Sequence, residues 1–139
     1  MLAVDLKSMF LATRAAVPAM AARGAGSVVC VSSVAALRGH GRTAYAAAKA
    51  GVIMYTRHLA REVGGYGIRA NCVAPGTTLS DRVESIMDSE AIEQTAALSP
   101  LNRIGLPKDT ANATLFLLSE AASFLTGVTL DVSGGRVML

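Results

Sequence analysis

Tyr45 and Lys49 stand four residues apart in the run Thr43-Ala-Tyr-Ala-Ala-Ala-Lys-Ala-Gly51. A free phenol titrates near about pH 10 and alone moves protons poorly at neutral pH. An ammonium group beside it favours the phenolate, the kind of tuning that makes a tyrosine an acid–base group. Alanine, the best helix former, fills the positions between the two, so the spacing predicts both side chains on one helix face, one turn apart. Helices carry many such pairs, and an ordinary surface Tyr–Lys contact fits this one equally well. Among three tyrosines and three lysines, however, no other pair has the spacing.

The elements around the pair decide whether it can work. Upstream, Ser27-Val-Val-Cys-Val-Ser-Ser33 is a β-branched apolar run that ends in two hydroxyls. It reads as a buried strand with its serines at the carboxyl end, the edge of an open parallel sheet where ligands bind. Downstream, Ile68-Arg-Ala-Asn-Cys-Val-Ala-Pro-Gly76 reads as a second strand that stops at a Pro-Gly turn. Strand with hydroxyls, helix with Tyr and Lys, and strand with Pro-Gly therefore follow one another. Their polar ends are predicted to converge on one sheet edge.

On these residues the chain resembles the short-chain dehydrogenase/reductase family, most closely its 3-oxoacyl-carrier-protein reductase branch. The matching features are Ser32-Ser33, Tyr45-x-x-x-Lys49, Asn71-x-x-x-Pro75-Gly76 and the closing Thr126-Gly-Val-Thr-Leu-Asp-Val-Ser-Gly-Gly135. The resemblance implies hydride transfer between a nicotinamide cofactor, NAD or NADP, and a carbonyl or alcohol substrate. It implies that Tyr45 is the acid–base group at the substrate oxygen. Lys49 would hold the cofactor ribose and favour the phenolate, and Ser33 would hydrogen-bond the reacting carbonyl. Pro75, Gly76, Thr78 and Ser80 would border the cofactor together with Tyr45 and Lys49. Successive strand residues point to opposite faces, so only one of Ser32 and Ser33 should face a substrate. The family pattern prefers Ser33, while the short loop to Tyr45 keeps Ser32 open. Asn71 fits either a site role or simple satisfaction of backbone groups.

Two departures from the family stand out. Asp5, in Val4-Asp-Leu6, occupies the place of an asparagine that supports a proton-relay water; it can hold a water but brings a charge and lacks the amide donor. The glycine-rich turn that receives a dinucleotide pyrophosphate is not recognisable. Such a turn follows a strand and opens a helix. Gly24-Ala-Gly26 lies between a helix and a strand, Gly39-His-Gly41 ends on Ala44 where the pattern needs glycine, and Gly134-Gly135 is close to the last residue. The chain is therefore expected to be one partial Rossmann-like domain, residues 1–139, lacking the amino-terminal dinucleotide-binding half. A reading of a different class is a catalytically inactive fragment that serves only as an oligomerisation module.

Composition fits a packed α/β domain. Of 139 residues, 52% are hydrophobic and 17% charged, which argues against disorder. The net charge of +3 comes from scattered arginines, so nucleic acid is not an expected partner. Cys30 and Cys72 fall inside predicted strands and read as buried free thiols. His40 and His58 have no companions at metal-ligand spacing. No apolar run approaches the length of about 20 residues that crosses a bilayer, so membrane is excluded as a partner and a cytoplasmic location is expected.

The remaining elements follow from periodicity. A helix is expected from about Val4 to Ala22 with Leu6, Phe10, Thr13 and Val17 on one face and a kink at Pro18. Thr43 is the expected N-cap of the Tyr45 helix and Gly64-Gly65 its end. Residues 77–99 read as two short helical pieces with Val83, Ile86, Met87 and Ile92 as apolar positions, either a substrate lid or an ordinary surface pair. Pro107 opens a further helix with Ala111, Leu115 and Leu118 as the expected buried stripe, and Val128–Val132 is the last strand. Three strands separated by helices predict the carboxyl-terminal part of a doubly wound parallel sheet. The first helix and the Tyr45 helix resemble the family's dimer-forming pair, so a homo-oligomer is expected.

Overall fold

The computed structural model describes residues 1–38 and 41–138. Gly39 and His40, read above as part of the loop before the Tyr45 helix, lie outside the described residues. A π-helical opening, Leu2–Lys7, runs into helix α1, Ser8–Arg23. Strand β1, Gly26–Val31, is followed by helix α2, Thr43–Val63, and strand β2, Ile68–Pro75. Helices α3, Asp81–Glu84, and α4, Ser89–Ala97, precede α5, Pro107–Leu118, and strand β3, Thr129–Val132.

The three strands pair in the order β1-β2-β3, all parallel, with Cys30 opposite Cys72 and Val73 opposite Leu130. β2 is central and is the most deeply buried strand, as its continuous run Ala-Asn-Cys-Val-Ala requires. Helix α2 covers one face through Val52, Ile53, Leu59, Ala60 and Val63, with the π-helical opening and α1 beside it. Helix α5 covers the other through Leu117, which packs with Val73, Ala122 and Leu130. The result is a three-layer α/β arrangement whose strand carboxyl ends point to one edge.

Several local expectations shift. The first helix is not regular from Val4: its opening turn is π-helical and carries Asp5. Of the face expected inward, Thr13 is buried and bonded to the Tyr55 hydroxyl, whereas Phe10 is exposed at 47%. Thr43 is the first residue of α2 rather than its cap; Arg42 holds the cap position without a side-chain bond. Gly64-Gly65 do not reverse the chain. A 3-10 turn, Gly64–Tyr66, continues past them and the left-handed residue is Gly67, at φ 71°. Gly67 is required for a second reason: a Cβ there would lie 2.3 Å from the Gly24 carbonyl oxygen.

Helix α5 corrects the expected stripe. Ala111, Leu115 and Leu118 are exposed, and the buried side is Leu117 with Ala113 half-buried. The segment Leu-Phe-Leu-Leu118 is apolar in every direction, so periodicity alone does not select a face. The helix is capped by Asp109, whose carboxylate accepts the Leu106 N–H at 2.7 Å and both Nη atoms of Arg103 at 2.6 and 3.0 Å. The Arg103 guanidinium, then the Leu106 N–H, hold that carboxyl at about 2.

The buried thiols follow the sequence reading. Cys30 and Cys72 are free and inaccessible. Burial pushes Cys30 up, and burial followed by the neighbouring Cys30 pushes Cys72 up to about 11, so both are protonated and unreactive.

Asn71 is fully buried in β2 and joins it to the approach of β3. Its Nδ2 donates to the Leu125 carbonyl at 2.8 Å, and its Oδ1 accepts the Val128 N–H at 3.1 Å. Of the two roles read for it, the structure gives Asn71 the satisfaction of backbone groups. A buried group stripped of its partner costs about 1–3 kcal/mol. Asn71→Ala, which strips two, is therefore expected to lower the unfolding free energy by about 2 kcal/mol or more in urea titrations with an unchanged slope. A loss below about 0.5 kcal/mol, the range of neutral surface changes, would remove this role.

Candidate active site

The carboxyl end of β1 is fastened to the middle of α2. Ser32, just past the strand, is buried and donates from Oγ to the Lys49 carbonyl at 2.8 Å. Lys49 Nζ donates back to the Val31 carbonyl at 3.1 Å. The alternation along the extended chain then turns Ser33 the other way. Its Oγ accepts the Ala35 N–H at 3.2 Å at the start of a short 3-10 turn, Val34–Ala36. Ser33 and Tyr45 line one cavity of about 230 Å³ with Gly76 and Thr77, while Ser32 is committed to the helix backbone. Between the two serines left open by the sequence, Ser33 is the one at the cavity.

Tyr45 and Lys49 lie one turn apart on α2, with Nζ 5.6 Å from the Tyr45 ring centroid. Lys49 is also paired with Asp5, Nζ to Oδ1 at 3.4 Å, across the π-helical turn. This contact was not foreseen. Asp5 meets the ammonium directly and so compensates the positive charge next to the phenol. The π-helical turn is a local irregularity of the kind found at functional positions, and here it carries the acid to the lysine.

Pro75 ends β2 and Gly76 follows it against β3; a Cβ on Gly76 would come within 3.1 Å of Ser133 Cα. Thr78 Oγ1 donates to the Gly76 carbonyl at 3.2 Å and keeps its acceptor capacity. Ser80 is exposed and caps α3, accepting the Val83 N–H at 3.4 Å. Helices α3 and α4 follow this edge. Val83, Met87 and Ile92 are half-buried, but Ile86 is exposed at 71%.

Arg136 was missed. It comes from just beyond β3, donates from Nη1 to Thr77 Oγ1 at 3.1 Å, and lines the same cavity as Ser33 and Tyr45. Its signal was available: the residue follows the last strand's carboxyl end, the edge where open parallel sheets bind ligands. Arg38 lines the cavity from the loop after β1. A larger cavity, about 730 Å³, opens at the opposite end of the strands beside Gly26 and Ile68, and it contains none of the predicted site residues. Size and chemistry disagree here, and the chemistry lies at the carboxyl edge.

The donor set fits one end of a nicotinamide dinucleotide. Lys49 donates one N–H to Val31 and forms an ion pair with Asp5, and an ammonium with three donors keeps N–H capacity that a ribose hydroxyl would fill. Gly76 and Thr78 offer a carbonyl and a hydroxyl oxygen at the same edge. For the phosphates, by contrast, the described residues contain no glycine turn that leads from a strand into a helix amino terminus. No group of three or more His, Cys, Asp or Glu side chains able to hold a metal occurs among the described residues. Likewise, no helix among them is long and apolar enough to cross a membrane.

A family model described as enoyl-(acyl carrier protein) reductase matches residues 1–136. The chain is 40% identical over 132 residues to the 3-oxoacyl-[acyl-carrier-protein] reductase FabG of Chlamydia trachomatis, a match covering 94% of this chain and 53% of that protein. It is 39% identical over 139 residues to a (3R)-3-hydroxyacyl-CoA dehydrogenase of Canis lupus familiaris, covering 99% and 53%. Among solved structures, a 3-oxoacyl-[acyl-carrier protein] reductase from Brucella melitensis superposes with a TM-score of 0.92 at 37% identity, covering 97% of this chain and 51% of that one. A second reductase structure from that organism, with bound NAD, gives 0.89 at 37% identity, covering 98% and 50%. The chain spans about half the length of the curated relatives it matches. With its three parallel strands, flanking helices and Tyr45-x-x-x-Lys49 helix at the carboxyl edge, the chain belongs to the short-chain dehydrogenase/reductase family.

Proposed function

We propose that this chain carries the acid–base part of an NAD(P)-linked oxidoreductase that interconverts a carbonyl and an alcohol. The single observation that carries the reading is the shared cavity: Ser33 from the β1 end and Tyr45 from α2 meet there, with Lys49 one turn along the helix. The cofactor, when bound, supplies or accepts the hydride. Ser33 orients the substrate oxygen by a hydrogen bond, and Tyr45 gives that oxygen a proton in reduction or takes it in oxidation. Lys49 holds the ribose and keeps positive charge near the phenol. Tyr45, Pro75, Gly76, Thr78 and Ser80 border the nicotinamide end. The adenine and pyrophosphate end needs residues beyond those of the partial domain 1–139. The choice between NAD and NADP belongs to that same end. The 3-oxoacyl-carrier-protein reductase branch supplies the reference substrate class.

We further infer that copies of the chain associate, either in support of catalysis or as the sole role of the module. An apolar groove opens between the first helix and α2, lined by Leu2, Leu6, Phe10, Met54 and Tyr55. Leu2, Phe10 and Met54 are each about half exposed, at 59%, 47% and 51%. Gly51 keeps α2 low at this place: a Cβ there would meet Leu6 Cδ2 at 2.9 Å. A second copy covering this surface by a two-fold contact would bury four helices together.

In a form that carries this chain together with a dinucleotide-binding half, Tyr45→Phe is expected to reduce kcat by about 10²–10⁴-fold with cofactor affinity nearly unchanged, since only a hydroxyl is removed. Lys49→Ala is expected to weaken both, and steady-state kinetics with cofactor titration separates the two effects. A Tyr45→Phe protein with wild-type turnover would end the acid–base assignment.

For association, light scattering of the purified chain is expected to give a dimer or larger species, and Met54→Glu is expected to shift it toward monomer. A monodisperse wild-type monomer at tens of micromolar would contradict the proposed surface.

A further inference from the structure

The cavity at Tyr45 carries more positive charge than a neutral carbonyl requires. Arg38 and Arg136 both line its space of about 230 Å³, on which Ser33 and Tyr45 also open. Arg136 is half-buried, and one nitrogen of its guanidinium is already fixed: Nη1 donates to Thr77 Oγ1 at 3.1 Å. Its Nε is buried and has no hydrogen-bond partner. A buried donor of a charged group without an acceptor is costly, and native structures rarely keep one without a use.

Nothing in the cavity's own lining answers that charge. Neither arginine forms an ion pair among the described residues, where the ion pairs are Lys49–Asp5 and Arg103–Asp109. No carboxylate lines this cavity. Asp131 opens on the adjoining cavity with Thr77 and Ser133; its Oδ2 accepts the Ser133 hydroxyl at 2.7 Å, and its Oδ1 is buried without a partner, yet it forms no ion pair with Arg136. A guanidinium presents planar, forked donors that match a carboxylate or phosphate in geometry as well as charge.

We propose that this cavity binds an oxyanion, carboxylate or phosphate, between Arg38 and Arg136 and beside Tyr45. Where the anion belongs to the reacting molecule, the inference rests on the oxidoreductase reading and turns the substrate from the neutral thioesters of the reference branch to hydroxy or keto acids and phosphorylated carbonyl compounds. The reacting carbonyl would then be placed by two contacts, Ser33 at its oxygen and the arginines at its acidic end. The same chemistry is offered by the phosphates of a dinucleotide, since Thr77, to which Arg136 is bonded, directly follows Gly76. Arg136 acts on specificity in the first case and on cofactor affinity in the second.

The test is an NMR titration of the 139-residue chain, observing the Arg Nε–Hε resonances. The probes are 3-hydroxybutyrate, its neutral amide and inorganic pyrophosphate at constant ionic strength. The expected result is a saturable shift of the Arg136 Nε–Hε signal with 3-hydroxybutyrate and none with the amide. Arg136→Gln is expected to weaken the anion by about tenfold or more, with Arg38→Gln showing a smaller loss and Arg136→Lys an intermediate one. Saturation by pyrophosphate but not by the hydroxy acid supports the oxyanion site and assigns it to a phosphate source. Anion binding is read without turnover and without a cofactor, so it does not depend on proton transfer by the phenol. The binding result therefore stands or falls separately from the acid–base role. If Arg136→Gln loses the dispersed spectrum of the folded chain, the wild-type Nε–Hε titration decides alone. Absence of saturable, Arg136-dependent binding for both anions would overturn the proposal.

Discussion

Two hydrogen bonds of opposite direction join the end of β1 to the middle of α2, and the candidate site depends on them. Ser32 reaches from the strand to the Lys49 carbonyl, and Lys49 reaches from the helix to the Val31 carbonyl. Each alone is worth little in stability, of order 1 kcal/mol for a neutral bond and somewhat more for the charged one. Their consequence is orientation. With Ser32 tied inward, Ser33 has to face the cavity, and with Lys49 tied to the strand, Tyr45 one turn earlier is carried to the same edge. Asp5 completes the clamp from the π-helical turn and compensates the ammonium. The sheet supplies the rigid base for this clamp, because β2 pairs on both sides and is closed over by helices on both faces.

Much of this architecture is legible in the residues, for physical reasons that differ by element. β2 was bounded almost to the residue, because a β-branched and small apolar run between a glycine and Pro-Gly leaves few alternatives. The two pieces after it were legible through their apolar positions, Val83, Ile86, Met87 and Ile92, whereas their caps, Ser80 and Asp88, which accept the Val83 and Ala91 N–H groups, emerge only from the structure. The face of α5 was not. Leu115, Phe116, Leu117 and Leu118 are all apolar, and only the position of the sheet selects Leu117. The opening of the first helix was also hidden, since propensity does not distinguish an α from a π turn and the Asp5–Lys49 pairing spans 44 positions in the chain.

The site divides in the same way. Residues joined by local spacing, Tyr45 with Lys49 and Pro75 with Gly76, could be named from the chain alone. Ser32 and Ser33 could be narrowed to one but not assigned, because strand alternation says that they differ and only the contact to Lys49 says which turns inward. Arg136 reaches Thr77 across 59 positions, so spacing does not pair the two, and only its place just after the last strand's carboxyl end points to it. Its presence gives the cavity a charge that the Tyr–Lys motif does not predict, and it separates the question of what is bound from the question of how a proton moves.

The clamp makes a claim that can be checked by exchanging one atom at two adjacent positions. In a form of the protein that turns over substrate, Ser32→Ala and Ser33→Ala should be compared by kcat/KM and by thermal midpoint in parallel. Ser33→Ala is expected to lose turnover by about 10²-fold or more with a nearly unchanged midpoint, because its hydroxyl faces the cavity. Ser32→Ala should lower the midpoint by several degrees, since it orphans the bond that fixes the strand end to α2. The reverse pattern, with Ser32→Ala silencing turnover at full stability and Ser33→Ala active, would contradict the account.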